Sequence, residues 1–359
     1  MGQAASGRIR ELDGWRGISI LLVVVGHEVI FVLDGSIGKI KLLAHLAGAG
    51  SALGVNIFFV ISGFVITRLL IREETQRRAV SLRGFYTRRF FRILPVFYLV
   101  LSVICLLSWL GWTPVSSVGV AVAALFLRDV AHPVRYWFLG HAWSLAVEEQ
   151  FYLIFPLFWV AMSPRKRPGL LLATFFLFLL WGAFSFSGPL SNVLTAGAII
   201  GFSCINAGAL LAVFEDRARS VAARAHPAAF FLTIVLLFSH PTSQGRAAET
   251  LYNLFLPFGI AYALMFTVSR KSWVSSLLKK GAIQWMGLIS YSAYLWQQLF
   301  VGSVADYGSP GVAKAFHLAL PLLFVVSALS FYWIERPCTR FGRQLSARLA
   351  AREEHVAVS

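Results

Sequence analysis

An ionisable side chain inside an apolar run is costly, so those that this sequence keeps there mark where its chemistry is expected. His27 is the first. It follows Arg16 by eleven positions, roughly 16 Å along a helix at ~1.5 Å per residue, which places it near mid-membrane if Arg16 marks the cytosolic boundary. An imidazole there can take and return a proton near neutral pH, as a general base must. A structural histidine bonded to a neighbouring carbonyl or hydroxyl explains it equally well. The second constellation opens a later apolar run: His141-Ala-Trp-Ser144-Leu-Ala-Val-Glu148-Glu149-Gln150. At spacings of three and four, His141, Ser144 and Glu148 share one helical face. The depth of Glu148 is compatible with meeting His27, orienting its ring and stabilising its charged form. An acidic helix N-terminus favoured by the macrodipole accounts for one glutamate, less readily for two followed by Gln150.

Arg88, Arg89 and Arg92 form the third group, in Tyr86-Thr87-Arg88-Arg89-Phe90-Phe91-Arg92. Their spacing gathers guanidinium groups on one side of a helix, a surface suited to bidentate contact with phosphate. Flanking cations that touch anionic lipid give the same pattern. Arg68, at the other end of the same basic stretch, is counted with them. Asp13 and Arg16 stand at the foot of the first apolar run, paired with each other or with the basic cluster. Asn56 and Ser62 bring polar groups into the second run, where Ser62 and Gly63 also suit close helix packing. Glu335, just before Arg336, is placed to pair with an arginine at the same mouth.

These residues need an apolar scaffold, and the composition supplies one. Of 359 residues 58% are hydrophobic and 13% charged, with a mean hydropathy of +0.72. Soluble domains run near 45–50% apolar and about 25% charged, so lipid is the expected solvent. The net charge of +16 sits in short clusters between apolar runs, which is a topology signal and not a nucleic-acid interface. Cys105, Cys204 and Cys338 are far apart and suggest neither a zinc site nor a disulfide framework; no metal or bound cofactor is expected.

The fold class expected is all-α, a polytopic membrane helical bundle of about ten transmembrane helices. Apolar runs that can be drawn across roughly 30 Å of hydrocarbon fall at 17–33, 51–71, 91–111, 143–162, 169–187, 193–214, 227–239, 250–268, 285–305 and 313–334; 227–239 is short, and 117–127 is an extra interfacial or re-entrant helix. The first is expected to be a retained helix and not a signal peptide. Alternating the loops across the bilayer puts 26 of the 32 Lys and Arg residues on one side and six on the other. That bias favours N-in and C-in. Residues 1–340 make one membrane domain, and 341–359 a short cytosolic tail.

In order along the chain, several segments resemble the acyltransferase 3 family of membrane acyltransferases: Arg16-x10-His27, Phe58-Phe59-Val-Ile-Ser62-Gly63-Phe64 and Tyr86-x-x-Arg89-x-x-Arg92-Ile-x-Pro95. Further matches are Trp143-Ser144-Leu-x-Val-Glu148-Glu149-Gln150-Phe151, Ser290-Tyr291-Ser-x-Tyr294-Leu295-Trp296 and Trp333-Ile-Glu335-Arg-Pro337. The resemblance implies an enzyme of the bacterial inner membrane that moves an acyl group, most often acetyl, from cytosolic acyl-CoA to a hydroxyl. Acceptors in the family are usually sugars of surface polysaccharides, lipopolysaccharide or glycolipids, with macrolides in some members. It also implies His27 as catalytic base with Arg16 in the same motif, and Arg89 and Arg92 as coenzyme A contacts. Gln297 stands where many relatives have His, and Asn56 where relatives often carry an acid. The esterase-like domain fused to some relatives is not seen, so transfer is finished either by this chain or by a separate periplasmic transferase.

The mechanism expected from these depths has acyl-CoA phosphates on Arg88, Arg89 and Arg92 and the thioester at His27. The histidine removes the acceptor proton, Glu148 steadies the imidazolium, and an oxyanion donor comes from Asn56, Ser62 or Ser144. His141 and Tyr294 complete the set of acceptor-side candidates. The rival from another class is a proton-coupled transporter or flippase, with His27, Glu148 and Asp13 as a relay; against it stands the lack of an inverted repeat.

Overall fold

Among the residues described, 8–34, 41–130, 137–184, 196–240, 245–301 and 320–358, every regular element of this computed structural model is helical. The order is α1 (Arg10–Asp34), α2 (Lys41–Arg77), α3 (Leu82–Trp109), α4 (Ser117–Ala124), a 3-10 turn (Trp137–Leu139), α5 (Ala142–Ala161), α6 (Arg167–Phe184) and α7 (Ala196–Val213). Next come α8 (Glu215–Arg224), α9 (Pro227–Phe238), α10 (Arg246–Ser269), α11 (Trp273–Leu278), α12 (Gly281–Phe300) and α13 (Leu320–Ser330). A π-helical segment, Phe331–Glu335, then leads directly into α14 (Arg336–Val358).

Local chemistry sets the starts of several helices. Ser81 caps α3 by accepting from the Gly84 amide at 3.1 Å, and Ser116 does the same for α4 at Gly119, each satisfying an orphan donor of the first turn. Pro227 opens α9, where a missing N–H costs nothing.

Leu42–Arg77, Leu82–Trp109 and Arg246–Ser269 are long and apolar enough to cross a membrane. Arg167–Gly182 and Pro227–Phe238 are shorter apolar helices. Together they make a helical membrane protein. Three features differ from the sequence expectation. Helix α2 has 37 residues, about 55 Å at ~1.5 Å per residue, because it starts at Lys41, well before the expected run at 51–71, and also continues through the charged stretch ending at Arg77. The run at 193–214 gives α7, but the chain turns by 92° into α8, where Glu215, Asp216, Arg217 and Arg219 replace the apolar sequence. The segment after 340, expected as a tail, is helical, since α14 runs unbroken from Arg336 and packs on α3. Residues 185–195 and 302–319, where parts of four expected spans fall, lie outside the described residues.

The chain divides into two units. The first comprises Met1–Thr67, Leu170–Gly188 and Ile199–Ser290, and the second Arg68–Gly169, Pro189–Ala198 and Tyr291–Ser359.

In the first unit, α1 packs on both α2 and α12, and α2 also packs on α7, all at glycines. A Cβ on Gly63 would lie 1.9 Å from the Ile205 carbonyl oxygen, and one on Gly208 would lie 2.0 Å from that of Val60. Likewise a Cβ on Gly17 would meet the Ile283 oxygen at 2.3 Å, and one on Gly287 that of Asp13 at 2.0 Å. Only hydrogen fits at these four positions. Small residues that let backbones approach are the usual device where lipid supplies no hydrophobic drive between helices.

The second unit is tied by polar side chains. Arg167 grips Glu74 with both terminal nitrogens, at 2.6 and 3.0 Å, while its guanidinium lies 4.5 Å from the Trp159 ring centroid. Tyr86 donates to the Leu153 carbonyl at 2.7 Å, joining α3 to α5. Gln150 donates to Asp129 at 2.9 Å, and Ser292 donates to the buried Glu335 at 2.8 Å. That last contact gives Glu335 a hydroxyl partner from α12.

Candidate functional site

The residues singled out by type and spacing fall into both units. Asp13, Arg16, His27, Asn56 and Ser62 belong to the first, and Arg68, Arg88, Arg89, Arg92, His141, Ser144, Glu148 and Tyr294 to the second.

In the first unit, the turn Leu12-Asp13-Gly14-Trp15-Arg16-Gly17 is chiefly a docking surface. Gly14 and Gly17 let α1 press on the carbonyls of Leu278 and Ile283. The Trp15 indole donates to Thr267 of α10 at 2.9 Å, and Asp13 forms an ion pair with Arg8 at 2.5 Å. Arg8 is thus a partner of Asp13 that the sequence left unnamed. Arg16 is half-buried on the same turn.

Eleven residues on, His27 is half-buried within α1. Its neighbour Gly26 sits so close to α2 that a Cβ would meet the Ala47 carbonyl at 2.5 Å and the Ser51 side chain at 2.8 Å. Gly54 of α2 makes the reciprocal approach to Ser19 and Val23 of α1. The backbone that carries His27 is therefore clamped against α2 at its own position and again one to two turns earlier. Asn56 donates its amide to the Ala52 carbonyl one turn back at 3.0 Å. Ser62 is half-buried beside Gly63, which is a close-packing residue.

In the second unit the three arginines of α3 have separate surroundings. Arg88 forms an ion pair with Glu73 at 2.8 Å and donates to Ser346 of α14 at 2.7 Å. It ties the end of α2 to α3 and α14. Arg89 lies with its guanidinium carbon 5.3 Å from the Tyr152 ring centroid and 5.7 Å from that of Phe85. Such stacking holds a guanidinium while leaving its N–H edge available for phosphate. Arg92 and Arg68 are both half-buried.

His141, Ser144 and Tyr294 come together. Ser144 Oγ donates to the His141 carbonyl at 2.9 Å and lies 2.5 Å from the Tyr294 hydroxyl, and the His141 and Tyr294 rings meet edge to face at 5.9 Å. Gln298, a residue sequence reasoning passed over, organises this cluster. Its Oε1 accepts from the His141 backbone N–H at 3.1 Å and from the ring Nδ1, which fixes the tautomer with the proton on Nδ1. Trp137 donates to the carbonyls of Val301 and Gln298. The clue to Gln298 was present: two adjacent glutamines, Gln297 and Gln298, inside an apolar run, both buried.

Glu148 is half-buried on α5. Its neighbour Glu149 lies within electrostatic reach of both Glu148 and Arg89, and its Oε1 is buried with no hydrogen-bond partner among the described residues. The sequence placed the acidic role on Glu148 by its helical face and passed over Glu149. Among the described residues no group of three or more His, Cys, Asp and Glu side chains could hold a metal ion.

An all-helical membrane protein with a histidine on a glycine-clamped helix and an aromatic-held arginine on another defines a class of membrane-embedded proteins with polar chemistry inside the bundle. Comparison with known proteins makes this specific: an acyltransferase domain model matches residues 9–336, and the chain belongs to the acyltransferase 3 family. The chain is 26% identical to the peptidoglycan O-acetyltransferase OatA of Listeria monocytogenes, covering 93% of this chain and 56% of that protein. It is also 26% identical to the putative peptidoglycan O-acetyltransferase YrhL of Bacillus subtilis, with 94% and 56% covered. To a putative O-acetyltransferase of Staphylococcus aureus it is 25% identical, with 92% and 57% covered. The chain thus spans little more than half the length of these relatives. No solved structure matches it significantly.

Proposed function

We propose that this chain is a membrane O-acyltransferase that moves an acyl group, acetyl foremost, from cytosolic acyl-CoA to a hydroxyl of a cell-wall or other surface glycan. Family membership across residues 9–336 and relatives named as O-acetyltransferases support the class of reaction. The observation that carries the mechanism is His27, held on a helix whose glycines lock its backbone against α2.

In this reading the chain crosses a bacterial inner membrane about ten times with both ends in the cytosol, following the bias of its basic residues. Arg89, stacked between Phe85 and Tyr152, takes a phosphate of the donor together with Arg92 and Arg68. His27 removes the proton of the acceptor hydroxyl as its oxygen attacks the thioester carbon, and the thiolate of coenzyme A departs. A positioned base contributes roughly 10²–10⁴-fold. Glu148 is the group assigned to steady the imidazolium, on its depth in the sequence. Hydroxyls of Ser144 and Tyr294 serve the acceptor side, oriented by Gln298 and His141. A separate periplasmic transferase remains a candidate partner for the last transfer.

The test uses purified protein in detergent with radiolabelled acetyl-CoA and peptidoglycan fragments. Wild type should place label in glycan, and His27→Ala should reduce it to background with unchanged thermal unfolding. Wild-type turnover in that variant would remove His27 from the mechanism.

A further inference from the structure

In the first unit, α1, α2, α9, α10 and α11 surround a cavity of ≈ 250 Å³ that plays no part in the chemistry above. Its walls are apolar and aromatic, among them Leu53, Ile57, Phe230, Ile234, Ala263 and Trp273. Apolar cavities of about 150 Å³ stay dry and take up hydrocarbon such as benzene, so a larger one is a hydrocarbon site and not a water pocket. It is not sealed. Phe231 and Trp273 line it, are 46% and 67% exposed, and stack on each other at 6.3 Å.

One end of the cavity is strongly cationic. Trp273, Val274 and Leu277 line it, and Arg270, Lys271, Lys279 and Lys280 flank those residues in the sequence. Arg270 is committed: its guanidinium covers Phe266 at 5.2 Å and donates to the Ala225 carbonyl, and Phe266 stacks on the lining residue Phe230 at 4.6 Å. Lys279 forms an ion pair with Glu11 at 2.6 Å. Lys271 and Lys280 are exposed. The nearby carboxylates Glu11 and Asp13 are already bonded to Lys279 and Arg8, so the rim keeps an excess of positive charge.

We propose that this cavity holds one acyl chain of an anionic phospholipid, whose phosphate is met by Lys271 and Lys280 at the rim. A dry slot opening beside an exposed tryptophan, with cations flanking that end, matches the layout of a single lipid with its charged head at the interface. The occupied cavity would brace α9, whose 12 residues make only about 18 Å of helix, too short to cross the bilayer alone.

The experiment reconstitutes the purified chain in phosphatidylcholine vesicles containing a small fraction of phosphatidylglycerol with a diazirine in one acyl chain, and maps the photo-adducts by mass spectrometry. Adducts should concentrate on Phe231, Ile234 and Trp273, and unlabelled phosphatidylglycerol should displace them where phosphatidylcholine does not. Ala263→Phe should empty the site of label. Lys271→Gln, a surface change that leaves folding intact, should weaken displacement by phosphatidylglycerol about fivefold. Adducts spread evenly over lipid-facing residues such as Leu153 and Leu177 would overturn the proposal. So would equal displacement by phosphatidylcholine, or displacement by a polyprenyl phosphate alone.

Discussion

Glycines do different work in the two units. In the first, those at the tightest helix contacts face backbone: Gly63, Gly208, Gly17 and Gly287 each leave less than 2.4 Å between a would-be Cβ and a carbonyl oxygen of another helix. In the second, the nearest atoms belong mostly to side chains: Gly342 faces Phe91 at 2.6 Å, Gly84 the Ser346 hydroxyl at 2.9 Å and Gly197 the Trp143 indole at 3.1 Å, while Gly140 meets the Gln298 amide and the Trp137 carbonyl alike at 3.0 Å. Side chains can rotate away; a carbonyl in a helix cannot. The first unit is therefore built to fixed spacing, which suits the helix that carries His27. The second is joined by hydrogen bonds and ion pairs that can be exchanged for others, which suits the donor surface proposed for it.

This contrast predicts a graded response to substitution. Gly208→Val should be the most damaging, because the α2–α7 contact has to open; a loss of about 3 kcal/mol or more is expected, seen as a collapse of the thermal unfolding midpoint in detergent. Gly281→Val is the control, since nothing lies within 4 Å of that position; equal damage from both would break the comparison. Next, Arg88 and Arg89 should separate. Arg88→Gln should destabilise by about 1–2 kcal/mol, as Glu73 is buried and loses its charge partner while Arg88 is partly solvated, with donor KM little changed. Arg89→Gln should raise donor KM with little change in unfolding, and the reverse pattern would exchange their assignments. The smallest effect is expected from Tyr294→Phe, which deletes the bond to Ser144 for about 0.6–1 kcal/mol; a fall in kcat without a rise in donor KM would place it on the acceptor side.

Much of the helical layout was legible in advance. The run at 143–162 became Ala142–Ala161, and that at 227–239 became Pro227–Phe238, because apolar length and a proline start are local signals. Direction was not legible: hydropathy marks where α7 ends but not the 92° turn into α8. The C-terminal end of α2 was missed because arginines and glutamates at 68–77 read as loop charge, although they are good helix formers. At the site, the family motifs singled out His27 and Arg89, and both sit on backbone or between rings that restrict their movement. Arg88 looked identical to Arg89 by composition; only Glu73 and Ser346, 15 and 258 residues away, set it apart, and no local pattern encodes such partners. The adjacent glutamines marked Gln298, but its partner was invisible for the same reason, since His141 is 157 residues away.

The five-residue π turn at Phe331–Glu335 closes with the Arg336 N–H bonded to the Phe331 carbonyl. A π turn accommodates an inserted residue, so it acts as a phase setting between α13 and α14. Deleting one residue there would let the segment relax to α geometry and swing the whole of α14 by about 100°. Phe341, whose ring packs at 5.0 Å on Phe91, and Ser346, bonded to Gly84 and Arg88, would then point elsewhere. In that stretch the residue count matters as much as the identity of Glu335, which Ser292 holds.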